Sequence, residues 1–139
     1  MGARPVLQVK GEGFQIYTCT ATPQGQKWVL KAPDAKLLDA SGKVIGIHFA
    51  GPTWKLSDGG EVKGELMASR PSPDPDSAAW LLLRVRPGTA TGSLASVAFI
   101  RRTNTRGGAA GTTGCEAAAD IGKSERVHYT ATYAFYSAH

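Results

Sequence analysis

The chain has 139 residues, 42% of them hydrophobic and 19% charged, and a net charge of +5 at pH 7. That length supports one domain with one core, and no apolar run approaches the roughly 20 residues of a membrane helix, so no transmembrane segment is expected. Sixteen basic residues are dispersed among eleven acidic ones, and without a recognised binding motif this describes a solvated surface rather than a nucleic-acid partner.

Glycine (17 residues) and proline (8 residues) fall as punctuation between short apolar runs, which favours strands and turns over helices. Residues 1–12 are expected to be loosely ordered, and Met1 to Leu7 lacks the apolar stretch of a signal peptide. The first predicted strand is Phe14 to Thr20, where Phe14, Ile16 and Thr18 alternate with Gln15, Tyr17 and Cys19. Pro23-Gln-Gly25 turns the chain into a second strand beginning at Trp28. Ala35 to Asp39, a turn at Ser41-Gly42 and Lys43 to Ala50 read as a hairpin, with a helical turn over Asp34–Asp39 as the alternative.

Gly51-Pro52 leads into a strand at Thr53 to Leu56, and Asp58-Gly59-Gly60 into Glu61 to Ala68. On that strand Val62, Leu66 and Ala68 share one side, leaving Glu61, Lys63 and Glu65 on a wet face. The proline-rich Pro71 to Asp76 cannot join a ladder and is expected to be an irregular loop. Strands follow at Trp80 to Arg86 and Leu94 to Arg102. Residues 107–124 form a long Gly/Ala/Thr loop containing Cys115, with a helical turn near Glu116 to Asp120. The last strand, Arg126 to Tyr136, puts Tyr129, Ala131, Tyr133 and Phe135 on one face. Eight to ten strands joined by short turns imply antiparallel neighbours in an all-β domain, a β-sandwich or a small β-barrel.

Cys19 and Cys115 are the two cysteines. Two buried thiols are one reading. The other, which the long loop's need for an anchor favours, is a disulfide adding about 4 to 5 kcal/mol in the chain-entropy model. A disulfide places the protein in the periplasm or outside the cell, as the mature form of a secreted chain.

Seven segments recur together here: Gln15-Ile-Tyr-Thr-Cys19, Ala32-Pro-Asp-Ala35, His48-Phe-Ala-Gly-Pro-Thr-Trp54, Pro71-Ser-Pro-Asp74, Trp80-Leu-Leu-Leu83, Gly114-Cys115 and Tyr129-Thr-Ala-Thr-Tyr133. In this order they resemble the domain-of-unknown-function family numbered 3455, across Phe14 to Tyr136. The resemblance implies export and cysteines at the positions of Cys19 and Cys115, and it implies no function. Some fungal members carry a malate dehydrogenase label. No Gly-x-Gly-x-x-Gly follows a strand in this chain, so that label is discounted.

The segment Val44 to Asp58 is the richest in chemistry. Alternation sets Ile45, Ile47 and Phe49 towards a core and Val44, Gly46, His48 and Ala50 the other way, with Gly46 and Ala50 leaving space beside the imidazole. His48, Trp54 and Asp58 near one turn suggest a small ligand pocket. His48 is the candidate general acid or base, with Asp58 fixing its tautomer. The plainer reading makes His48 and Trp54 structural and Asp58 a turn residue. Arg84, Arg86, Arg101 and Arg102 form a second constellation, in which Arg101 beside a neighbour binds a carboxylate, sulfate or phosphate. Tyr129 and Tyr133 offer hydroxyls to a cleft, or fill core with wet tips.

No Gly-x-Ser-x-Gly elbow or paired-histidine motif occurs, and His48, His128 and His139 are scattered, so neither a metal nor a cofactor is expected. Carboxylates for glycoside hydrolysis exist at Asp58, Glu61 and Glu65, but no spacing selects them. The expected function is binding of a small molecule or carbohydrate in a cleft including His48, Trp54, Tyr133 and Arg101. The alternatives are a cofactor-independent enzyme using His48, and a surface protein without a pocket.

Overall fold

Period-two alternation sets strands over most of the chain in the computed structural model, which describes residues 3–138. Eight strands result: β1 (Arg4–Thr22), β2 (Gly25–Leu38), β3 (Val44–Phe49), β4 (Thr53–Leu56), β5 (Glu61–Arg70), β6 (Trp80–Val85), β7 (Val97–Gly107) and β8 (Ser124–Ser137). Each is antiparallel to its predecessor, and β8 pairs with β1, so one sheet closes in a ring. The all-β expectation holds, with one sheet instead of the two of a sandwich. Each turn keeps a strand bonded to the one before it, and closure pairs the last edge with the first. Helical structure among the described residues is limited to single turns at Gly92–Leu94 and Ala118–Asp120.

Several boundaries move. β1 starts at Arg4, because Arg4 to Thr18 ladder against β8 from Ser137 back to Ser124. The two strand pieces expected on either side of Ala32-Pro33 fuse into β2, and the helical turn at Asp34–Asp39 does not form. Lys36 and Leu37 are paired on both sides, to β1 and to β3. A register shift at Ile16/Tyr17 skips Lys31, next to Ala32-Pro33, and Pro33 stays in register opposite Gln15. Leu94 falls in a helical turn rather than at the head of β7.

The interior is lined by Tyr129, Ala131, Tyr133 and Phe135 of β8, as their alternation predicts, together with Leu37, Trp54, Val62, Leu83 and Ile100. On β3 the predicted faces are reversed at Gly46, Ile47 and His48, while Ile45 packs partly buried against the core and Val44 is 47% exposed, as predicted. Gly46 and His48 are buried, whereas Ile47 is 49% exposed. The cause is register: Gly46 pairs with Leu56 and His48 with Trp54, and these two large residues of β4 take the inside. Directly paired residues share a face, so β3 follows β4. On β5, Val62 is inside but Leu66 is 58% exposed, next to a register shift at Leu66/Ala68.

Two glycines make room for the aromatic centre. A Cβ on Gly64 would lie 3.2 Å from the Trp54 ring, and one on Gly11 would lie 2.5 Å from Tyr133 Cε2. The Tyr133 ring is enclosed and cannot step aside. Gly11→Ala is therefore expected to destabilise the protein by about 1–3 kcal/mol through overpacking. Urea denaturation measures this, and an unchanged midpoint would show that the ring has freedom the packing denies it.

Cys19 and Cys115 are joined in a disulfide, with Cα atoms 5.5 Å apart. Residues 108–123 are also stitched to the β1–β2 hairpin: Trp28 Nε1 donates to the Thr113 carbonyl at 2.9 Å, Gln26 Nε2 to Ala117 at 2.7 Å, and Cys19 N to Lys123 at 2.9 Å.

Candidate functional site

The tight β3–β4 connection, Ala50-Gly51-Pro52, sets the site. Thr53 Oγ1 donates to the Ala50 carbonyl at 2.8 Å and receives Lys63 Nζ at 3.1 Å, which ties the turn to β5. With the turn fixed, His48 and Trp54 face each other across the hairpin and stack, ring centroids 4.3 Å apart at 16°. Tyr133 closes on both from β8, 5.0 Å from the imidazole and 5.6 Å from the indole, and Phe135 meets the indole edge-on at 6.1 Å.

Beside this cluster is an opening of about 300 Å³, with the exposed residues Leu30, Lys31, Ala50 and Gly51 among those that line it. Its walls include His48, Trp54, Tyr133, Gln15 and Arg102, with Leu81 and Leu83 on an apolar side. Three expected binding residues, His48, Trp54 and Tyr133, thus converge. The other two candidates lie elsewhere. Asp58 borders a separate cavity with Ser93 and Leu94, and its carboxylate accepts Gly60 N–H at 2.8 Å and Ser93 Oγ–H at 3.1 Å. These bonds hold its pKa below the usual carboxylate value. Asp58 is a turn residue, as the plainer reading has it.

Arg101 is exposed across from Leu82, in a shallow groove with Trp80 and Arg70. The arginine constellation does not assemble: Arg84 and Arg86 both go to Glu65 on the outer face. Nor does Gly46 leave space beside the imidazole, because its Cβ position is filled by the Lys55 carbonyl of β4.

His48 Nδ1 lies 2.8 Å from the Thr53 carbonyl. A carbonyl only accepts, so Nδ1 carries the proton and Nε2 is left as an acceptor. Burial drives the His48 pKa down to about 3, opposed by the Thr53 bond and assisted by the Arg102 charge. The imidazole is therefore neutral through the range of about pH 5 to 8, where an acid/base histidine must titrate. Neither the proton nor the Asp58 partner of the acid/base reading is in place.

Two site residues were not singled out as part of this cleft. Gln15 is inward on β1, and its Oε1 is buried with no hydrogen-bond partner among the described residues. Trp54 Nε1 is unpartnered in the same way. Arg102 is inward on β7, 7% exposed. Its Nε and one Nη donate to the Ala79 carbonyl at 3.0 and 2.8 Å, and its charge favours the ionised form of the nearby Tyr133 phenol against the larger effect of burial. The Tyr133 hydroxyl lies 2.8 Å from the Tyr129 hydroxyl, and burial raises the pKa of both phenols. Parity was the available signal: Gln15 shares a strand face with Tyr17 and Cys19, and Arg102 with Ile100.

Among the described residues no group of three or more His, Cys, Asp or Glu side chains is placed to hold a metal ion; His139 lies outside them. No helix among them is long and apolar enough to cross a membrane.

Fold and site together define a disulfide-tied all-β protein whose closed sheet encloses a polar-and-aromatic pocket. The chain belongs to the DUF3455 family, proteins of unknown function, whose family model matches residues 1–137. The resemblance read from the sequence is thereby borne out. No curated protein and no solved structure matches the chain.

Proposed function

We propose that this protein is an exported small-molecule-binding domain, a small β-barrel whose ligand enters at Ala50–Pro52 and rests against Trp54, His48 and Tyr133. The observation that carries this reading is that two of the three unpartnered buried side-chain atoms among the described residues, Gln15 Oε1 and Trp54 Nε1, belong to residues that line one opening of about 300 Å³, the third, Trp80 Nε1, lying elsewhere. A buried polar atom without a partner costs about 1–3 kcal/mol. Two at one opening are explained by a molecule that satisfies both, and the opening is at the lower end of small-molecule pockets. The Cys19–Cys115 bond supports an oxidising compartment.

A compact molecule suits the site better than a carbohydrate chain. Sugar rings need an open aromatic face, and the Trp54 indole is buried with the His48 ring stacked on it.

A fragment library screened by NMR tests the proposal, using the Trp54 indole N–H as reporter. Bound fragments are expected to shift that resonance. Ala50→Trp, at an exposed position on the mouth, is expected to abolish the shifts with the core left intact. Hits that bind this variant as well as the wild type, or that perturb only the outer surface, would remove the pocket from consideration.

A further inference from the structure

Resting on that reading, we infer that the bound molecule is a monocarboxylate, its carboxylate held by Arg102 and its carbon body against Leu81 and Leu83. A guanidinium is charged under all ordinary conditions, and buried charges in proteins are paired. Arg102 has no carboxylate partner: none of the ion pairs among the described residues includes it. The residues lining the opening include neither Asp nor Glu, and the one other charge there, Lys31 at the exposed rim, is also positive.

The acid nearest in effect is Glu125, whose charge reaches Tyr17 as that of Arg102 does, but Glu125 lies outside the lining, accepts the Gly111 N–H at 3.1 Å and forms no ion pair with Arg102. His48 is neutral, and Tyr17, Tyr129 and Tyr133 are phenols kept protonated by burial. The Ala79 carbonyl and the Tyr133 hydroxyl contribute dipoles only.

The remaining donors point to the same chemistry. A guanidinium has five N–H groups, and the Ala79 carbonyl occupies two of the Arg102 set. The fork geometry of the others matches the two oxygens of a carboxylate. One buried cation balances one anionic charge. A phosphate ester brings close to two, and its second charge would have only the solvated Lys31 to answer it. Trp54 Nε1–H, Gln15 Oε1 and His48 Nε2 then remain for a hydroxyl or amide elsewhere on the ligand.

The test compares acids with their own amides on the intact, disulfide-bonded protein: phenylacetate against phenylacetamide and hexanoate against hexanamide, with phenylphosphonate as a third anion. Calorimetry gives affinity, and the Trp54 indole resonance confirms the site. Each carboxylate is expected to bind at least about tenfold more tightly than its amide. Arg102→Gln is expected to level the two, and Arg102→Lys to retain part of the preference. The comparison on wild-type protein stands even if a variant fails to fold. Equal binding of acid and amide at Trp54 overturns the carboxylate assignment and leaves the pocket reading standing. Tighter binding of the phosphonate overturns it in favour of a phosphate-type anion. If neither acids nor amides reach Trp54 at millimolar concentration, both the assignment and the pocket fall.

Discussion

Between pH 7 and pH 3 the folded state is expected to lose roughly 4 kcal/mol through one imidazole, and a His48→Gln protein is expected to lack that loss. In the unfolded chain His48 titrates at the ordinary value near 6.5; in the fold, burial between Trp54 and Tyr133 holds its pKa down to about 3. Above 6.5 neither state binds the proton, and the contribution is complete. As the pH falls from 6.5 towards 3, the unfolded chain takes up a proton that the folded ring refuses. Unfolding is then favoured by about 1.4 kcal/mol per pH unit. Below 3 both states are protonated and the decline stops.

Asp39, Asp58 and Asp120 also have pKa values lowered by hydrogen bonds, so acid weakens them as well, but both proteins share that effect. The difference between the two curves of unfolding free energy against pH, from urea titrations, isolates His48. Parallel curves would mean that the ring is hydrated in solution and its neutral state is not enforced. The same depression makes any function of the pocket that depends on His48 flat across neutral pH.

Breaking the Cys19–Cys115 bond is expected to cost about 4 to 5 kcal/mol, since the bond closes a loop of sequence separation 96 and so restricts most of the unfolded chain. For a chain of this length that corresponds to a Tm lowered by roughly 15–20 °C. Cys19→Ser and Cys115→Ser should behave alike, and reductant should bring the wild type to the same Tm. A second consequence is local. Residues 108–123 keep the hydrogen bonds to Trp28, Gln26 and Cys19 but lose their covalent anchor, so reduced protein is expected to be cut there first by protease. A Tm within a few degrees of the oxidised value would show that those hydrogen bonds alone hold the loop and that the bond is dispensable to the fold.

Much of the architecture was legible from neighbouring residues. The alternation of Tyr129, Ala131, Tyr133 and Phe135 identified the inner face of β8, because only one of its two faces carries this aromatic weight. The Gly51-Pro52 and Asp58-Gly59-Gly60 turns marked the ends of β4. Where both faces of a strand offered plausible core residues the reading failed. On β3 the branched Ile47 outweighed Gly46 and His48, and those two are inside while Ile47 is exposed. Arg102 reads in the sequence as one of a constellation with Arg84, Arg86 and Arg101, and its separation from them by burial follows from its place beside Ile100 on the inward side of β7.

The sequence by itself determined that the chain forms strands and where most of them turn. These depend on period, on proline and glycine, and on composition, all of which act between residues close in the chain. Only the tertiary structure decided which face of β3 is inside, that β8 returns to β1, and that His48, Trp54, Tyr133, Gln15 and Arg102 meet. Burial is a property of register between strands distant in sequence, and the charge state of a buried group follows from burial. His48 near a carboxylate and in water would be a switch at neutral pH; stacked on Trp54 and covered by Tyr133, the same side chain is a fixed, uncharged acceptor.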